Sequence, residues 1–100
     1  MRKIATIQNK TDEIVRLMLY KKNDEIYLFG YNKKEDCSCL WDQFYDDISE
    51  LYDECKERFG VEIDDWIMIS NPLENCQHDW IEPVRRVVKD GQVVFEKLID

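Results

Sequence analysis

Trp41-Asp42-Gln43-Phe44-Tyr45-Asp46-Asp47-Ile48-Ser49-Glu50-Leu51-Tyr52-Asp53-Glu54-Cys55-Lys56-Glu57-Arg58-Phe59-Gly60 is the stretch whose reading decides the fold. Its apolar side chains, Trp41, Phe44, Tyr45, Ile48, Leu51, Tyr52, Cys55 and Phe59, recur at steps of three and four, the spacing that gathers them on one side of an α-helix. At 100° per residue they occupy an arc of about 120°, and the acids from Asp42 to Glu57 project away from it. Gly60 tolerates the left-handed conformation that ends helices, and Asp36 or Ser38 is a candidate N-cap. The spacing predicts a helix over residues 40–59. A helix with one apolar stripe needs a surface to lie on, and the flanking sequence offers a sheet.

Lys3 to Gln8 reads as a strand, followed by a turn at Asn9-Lys10-Thr11-Asp12. Ile14 to Lys22 sets Val15, Leu17 and Leu19 on one side and Ile14, Met18 and Tyr20 on the other. A hairpin turn at Lys22-Asn23-Asp24-Glu25 leads into Glu25 to Asn32, where Ile26 and Leu28 oppose Tyr27, Phe29 and Tyr31. Beyond the helix, Trp66-Ile67-Met68-Ile69 fits a strand ended by Ser70-Asn71-Pro72. Leu73 to Pro83 has no clean period and is predicted to be an ordered loop held by Trp80 and Ile81. Val84 to Lys89 and Gln92 to Leu98 flank Asp90-Gly91, a pair that accepts the positive φ angles of a type I′ turn.

The predicted fold is therefore a single α+β domain over residues 1–100. It has an antiparallel sheet of four to six strands in the order βββαβββ, one amphipathic helix packed on one face, and a C-terminal hairpin. Both faces of the meander carry apolar side chains, and one helix covers only one of them. The hairpin folding back is the expected cover for the other, and a partner or second copy is the alternative.

Composition narrows the function classes. One hundred residues suffice for one core and leave little to spare, so pairing of two copies is a natural option. No apolar run approaches the roughly 20 residues of a membrane span, and Met1-Arg2-Lys3-Ile4 does not open a signal peptide. A cytoplasmic location follows as the expectation, with the four cysteines as free thiols. The net charge of −8 argues against phosphate-backbone binding, which needs clustered Lys and Arg. Residues 42–65 hold ten acids against two bases, so this one stretch accounts for the whole imbalance.

Among motifs, Cys37, Cys39, Cys76 and His78 supply the three thiolates and one imidazole of a tetrahedral zinc site, although one-residue spacing within each pair is unusual. Buried or partly exposed thiols are the plainer reading, and Cys55 on the helical arc belongs to the core. Cys76, His78 and Asp79 invite a nucleophile, base and orienter reading, but three neighbours in one loop do not readily reach that geometry. There is no phosphate loop, nucleophile elbow, calcium loop or His-Glu helix motif to anchor an enzyme. The expectation is a non-catalytic protein-binding module without a cofactor, using Asp46, Asp47, Glu50, Asp53, Glu54 and Glu57 against a basic protein surface. The alternatives are a small zinc-binding protein and an enzyme of unknown class. Neither nucleic acid nor a membrane is expected as a partner, and a homodimer is possible.

The residues Asp65-Trp66-Ile67, Asn71-Pro72-Leu73 and Cys76-Gln77-His78-Asp79-Trp80-Ile81-Glu82-Pro83-Val84-Arg85 resemble a segment of small, uncharacterised bacterial proteins, over about a fifth of the chain. The resemblance implies no activity and no functional residue. More loosely, the small size and concentrated acidic face are similar to those of immunity proteins that neutralise basic toxins.

Overall fold

A computed structural model describes residues 1–8 and 13–98. The turn expected at Asn9-Lys10-Thr11-Asp12 lies outside the described residues. Five strands, β1 (Arg2–Thr6), β2 (Arg16–Lys22), β3 (Glu25–Tyr31), β4 (Trp41–Tyr45) and β5 (Ile67–Ile69), form an antiparallel sheet in the order β4-β3-β2-β1-β5. The helix α1 (Ile48–Phe59) follows β4, and a single 3-10 turn (Ile63–Asp65) precedes β5. Strands β6 (Val84–Lys89) and β7 (Gln92–Lys97) pair only with each other. The protein is an α+β fold with one helix and a C-terminal hairpin. None of its described helices is long and apolar enough to cross a membrane.

The predicted helix over 40–59 is corrected at its start. Residues 41–45 are the edge strand β4, and Asp47, rather than Asp36 or Ser38, is the N-cap, its carboxylate accepting the Ser49 N–H at 2.9 Å. Trp41 and Tyr45, four residues apart, share a face in both a helix and a strand, so their spacing does not discriminate. Phe44 does: it points to the opposite side, 57% exposed, with its ring edge-on to Tyr27 at 5.5 Å. The free edge of β3 decides the matter, because its backbone groups bond to β4 through the register Ile26↔Tyr45 to Gly30↔Trp41. Gly30 is required here, since a Cβ would lie 2.4 Å from the Trp41 indole stacked above it.

Period-two alternation sorts the side chains as the sequence implies. Leu17, Leu19, Ile26 and Leu28 face α1, whose Leu51, Cys55 and Phe59 are buried against them together with Tyr45, Val61 and Trp66. Gly60, at φ 69°, closes the helix by donating to the Cys55 and Lys56 carbonyls. The other face carries Met18, Tyr20, Phe29 and Tyr31, with Ile4, Tyr27 and Ile69 around them.

The cover of that second face differs from expectation. Cys37, Cys39 and Ile81 pack on the aromatic layer, so two irregular segments, 32–40 and 70–83, lie across it and the hairpin does not. Neither β6 nor β7 contributes a residue to either hydrophobic cluster. The ribbon is rooted at its base, where Val84 is fully buried and Phe95 packs on Trp80 at 5.5 Å, and its far end carries Val88 at 65% and Val93 at 47% exposure. Its Asp90-Gly91 turn has φ values of 52° and 78°, as the sequence predicts.

Candidate functional site

Arg2 organises the second face. It begins β1 on the same side as Ile4, is only 2% exposed, and has no carboxylate partner among the described residues. Its guanidinium donates instead to backbone carbonyls of the covering segment: Nε to Ser70 at 2.7 Å, Nη1 to His78 at 3.0 Å and Trp80 at 2.6 Å, and Nη2 to Ile81 at 3.3 Å. The planar fork suits this task, because five fixed donors can gather carbonyls from one winding loop. Burial lowers the Arg2 pKa, while Tyr31, Tyr20 and Asp36 oppose the shift. An arginine stays charged under these conditions.

Two carboxylates stitch the covering segments together. Asp36 accepts the N–H groups of Ile81 and Glu82, both at 2.8 Å, and Asp79 accepts the Cys39 N–H at 2.8 Å. Tyr31 donates its hydroxyl to the Asp79 carbonyl, and Trp80 Nε1 donates to Ser38 Oγ at 3.1 Å. Arg16, also buried, lies 3.8 Å above the Tyr31 ring and donates to the Glu35 carbonyl at 3.1 Å. These contacts account for the order of a loop that has no periodic pattern.

The segments enclose an open cleft of about 440 Å³, walled by Tyr27, Phe29, Cys39, Cys76, His78 and Asp79 among others. Three of the four sequence-derived metal candidates, Cys39, Cys76 and His78, thus border one space, while Cys37 packs on the aromatic layer. Among the described residues no three His, Cys, Asp or Glu side chains are close enough to hold one metal ion. The chemistry of the cleft is subdued. The Cys39 thiol is pushed up to about 12 by burial and then by Asp79, so at neutral pH it is the protonated, unreactive form. Asp79 is committed to Cys39, and the His78 ring packs on Tyr20 at 4.9 Å. Asp79 and His78 are thus each engaged with another residue, while both line the cleft together with Cys76.

The acidic side chains fall into two groups. Asp47 caps α1, Glu54 accepts the Tyr45 hydroxyl, Asp65 accepts the Glu62 N–H, and Glu62 pairs with Lys56 at 3.4 Å. Asp46, Glu50, Asp53 and Glu57 are exposed and make no ion pair among the described residues. Glu50, Asp53 and Glu57 are spaced three and four apart, so they share the solvent side of α1. Asp42, on β4, borders the cleft on the far side of the sheet and is not part of this face. Beside the acidic row lies a smaller cleft of about 220 Å³, lined by Tyr52, Asp53, Lys56, Glu62, Ile63 and Trp66, with Ile63 59% exposed.

Cys55 shows how burial enters the pH response. It is fully buried, and its thiol is pushed up to about 12 from 9.0, first by burial and then by Glu54. In the unfolded chain it ionises near pH 9, while the folded state keeps the proton. Stability from this group is therefore complete below pH 9 and declines as pH rises towards 12. Cys55→Ala is expected to flatten the alkaline decline by up to about 1.4 kcal/mol per pH unit above pH 9, measured from urea midpoints between about pH 9 and 11. An identical decline in both proteins would contradict this.

No protein-family model, curated protein or solved structure matches the chain.

Proposed function

We propose that this chain is a non-catalytic protein-binding module of regulator or immunity type, whose α1 face meets a basic surface on a partner protein. The observation that carries the reading is the row Asp46, Glu50, Asp53 and Glu57: four exposed carboxylates without internal ion pairs, in a segment that holds the full net charge of −8. Glu50, Asp53 and Glu57, like charges crowded on one helix with Asp46 just before its cap, cost stability through mutual repulsion, a cost that a basic partner removes. The remaining acids of the originally expected set, Asp47 and Glu54, hold the helix and β4 in place behind that row.

A non-catalytic role is supported by the raised pKa of the Cys39 thiol, by the bond of Asp79 to the Cys39 N–H and by the packing of the His78 ring on Tyr20, which leave neither side chain paired with Cys76. Four cysteines without a disulfide suit a cytoplasmic protein. The test is affinity capture with the tagged chain at about 50 mM and 500 mM salt, where screening of exposed charges differs strongly. A basic protein retained at the lower salt and released at the higher is the expected result. Recovery of nothing that depends on salt would remove the support for this reading.

A further inference from the structure

Among the described residues the β6–β7 ribbon packs on the rest of the chain only at its base. Two-stranded ribbons are marginal in water unless a face is covered, yet here only the base is held and the Val88–Val93 pair stands open. Val88 and Val93 share a face with Arg86 and Phe95, since these positions alternate with Arg85, Val87, Val94 and Glu96 along the pairing. Lys89 pairs with Glu96 and Lys97 with Glu82, which leaves Arg85 and Arg86 exposed with no ion pair among the described residues. The ribbon is thus a basic, apolar-tipped arm on a chain that is otherwise strongly acidic.

Its complement is on the same chain. The α1 side carries Asp53 and Glu57, without an ion pair among the described residues, and Asp53 borders the small cleft with exposed Ile63, where Lys56 is already neutralised by Glu62. We propose that two copies exchange ribbons, the Arg86, Val88 and Val93 face of each lying against the α1 side of the other. The contact is isologous, so the charge complementarity is used twice and the assembly closes at two. Because each copy engages both its ribbon face and its α1 face, the buried area is twice that of a single ribbon contact. The dimer uses the acidic face assigned above, so a second copy and an external basic partner compete for it.

Sedimentation equilibrium of the purified full chain tests this without any partner. Wild type is expected to dimerise with a Kd tighter than about 100 μM at low salt. That Kd is expected to weaken tenfold or more between about 50 mM and 500 mM salt. Arg86→Glu and Asp53→Lys/Glu57→Lys are each expected to be monomeric, because each sets like charges against each other in its own homodimer. Mixed one to one they are expected to form a heterodimer, since both exchanged contacts again join opposite charges. A wild-type chain still monomeric at about 0.5 mM overturns the proposal, as does dimerisation of either variant at wild-type strength or a mixture that stays monomeric. Capture of a basic partner by the Arg86→Glu chain, whose helix is intact, tests the recognition face separately from the dimer.

Discussion

Replacing Arg2 by Met is expected to lower the stability of the fold by about 4 kcal/mol, a large part of the 5–15 kcal/mol typical of a domain. Four carbonyls, those of Ser70, His78, Trp80 and Ile81, lose their donor at once, and a cavity of about 180 Å³ beside Arg2, Ser70, Trp80 and Ile81 lets water replace only some of the lost bonds. A buried acceptor left without a partner costs about 1–3 kcal/mol, and partial relaxation of the loop recovers some of the total. Arg2→Lys is expected to restore only part of the loss, because an ammonium cannot fork towards carbonyls spread from residue 70 to residue 81. Urea unfolding gives the magnitude. Amide exchange gives the location, with protection falling first in 70–83 and in the Asp36 and Cys39 contacts that depend on it. A loss below about 1 kcal/mol would mean that the aromatic packing alone holds the cover.

On the recognition face, Asp53→Lys/Glu57→Lys is expected to slow association with the captured partner by ten- to a hundredfold at about 50 mM salt. Both side chains are exposed, and neither takes part in a side-chain hydrogen bond or ion pair among the described residues, so helix packing through Leu51, Cys55 and Phe59 is left intact. Lys at position 57 also sits favourably near the C-terminal end of the helix dipole. The expected signature is kinetic: the association rate falls and its salt dependence weakens, whereas the dissociation rate changes less. Stopped-flow mixing resolves the two rates. An association rate within twofold of wild type would show that these carboxylates do not steer encounter.

Much of the architecture is legible in the sequence, for identifiable reasons. Alternation in residues 16–31 separates the leucine face from the aromatic face, and Asp90-Gly91 specifies the terminal turn. The helix is legible from Ile48 onward, where Leu51, Cys55 and Phe59 fall one turn apart. Its false extension to residue 40 arises because Trp41 and Tyr45 satisfy both periods, and a three-residue shift at Phe44 then looks helical. The signal for the true start is present: Asp47 followed by Glu50 three positions later is an N-terminal pattern, and it outranks Asp36 and Ser38.

The cover of the aromatic face is where local reading fails. Arg2 stands beside Lys3 and reads as one of two ordinary surface bases, and nothing local reveals that its partners lie about seventy residues away. Asp36 and Asp79 likewise read as surface acids or catalytic candidates, whereas each is occupied with backbone N–H groups of a distant loop. The acidic row survives this sorting better, because exposure on a helix follows from period alone. Folding subtracts Asp47 and Glu54 from it, and only side-chain contacts could reveal that.

Amide exchange of the chain alone and with its captured partner tests the central claim most directly, since it reports which backbone becomes protected on binding. The account predicts new protection concentrated in residues 46–57, with the segments 32–40 and 70–83 unchanged. Protection confined to the cleft around Cys39, Cys76 and His78, with α1 exchanging as before, would contradict it.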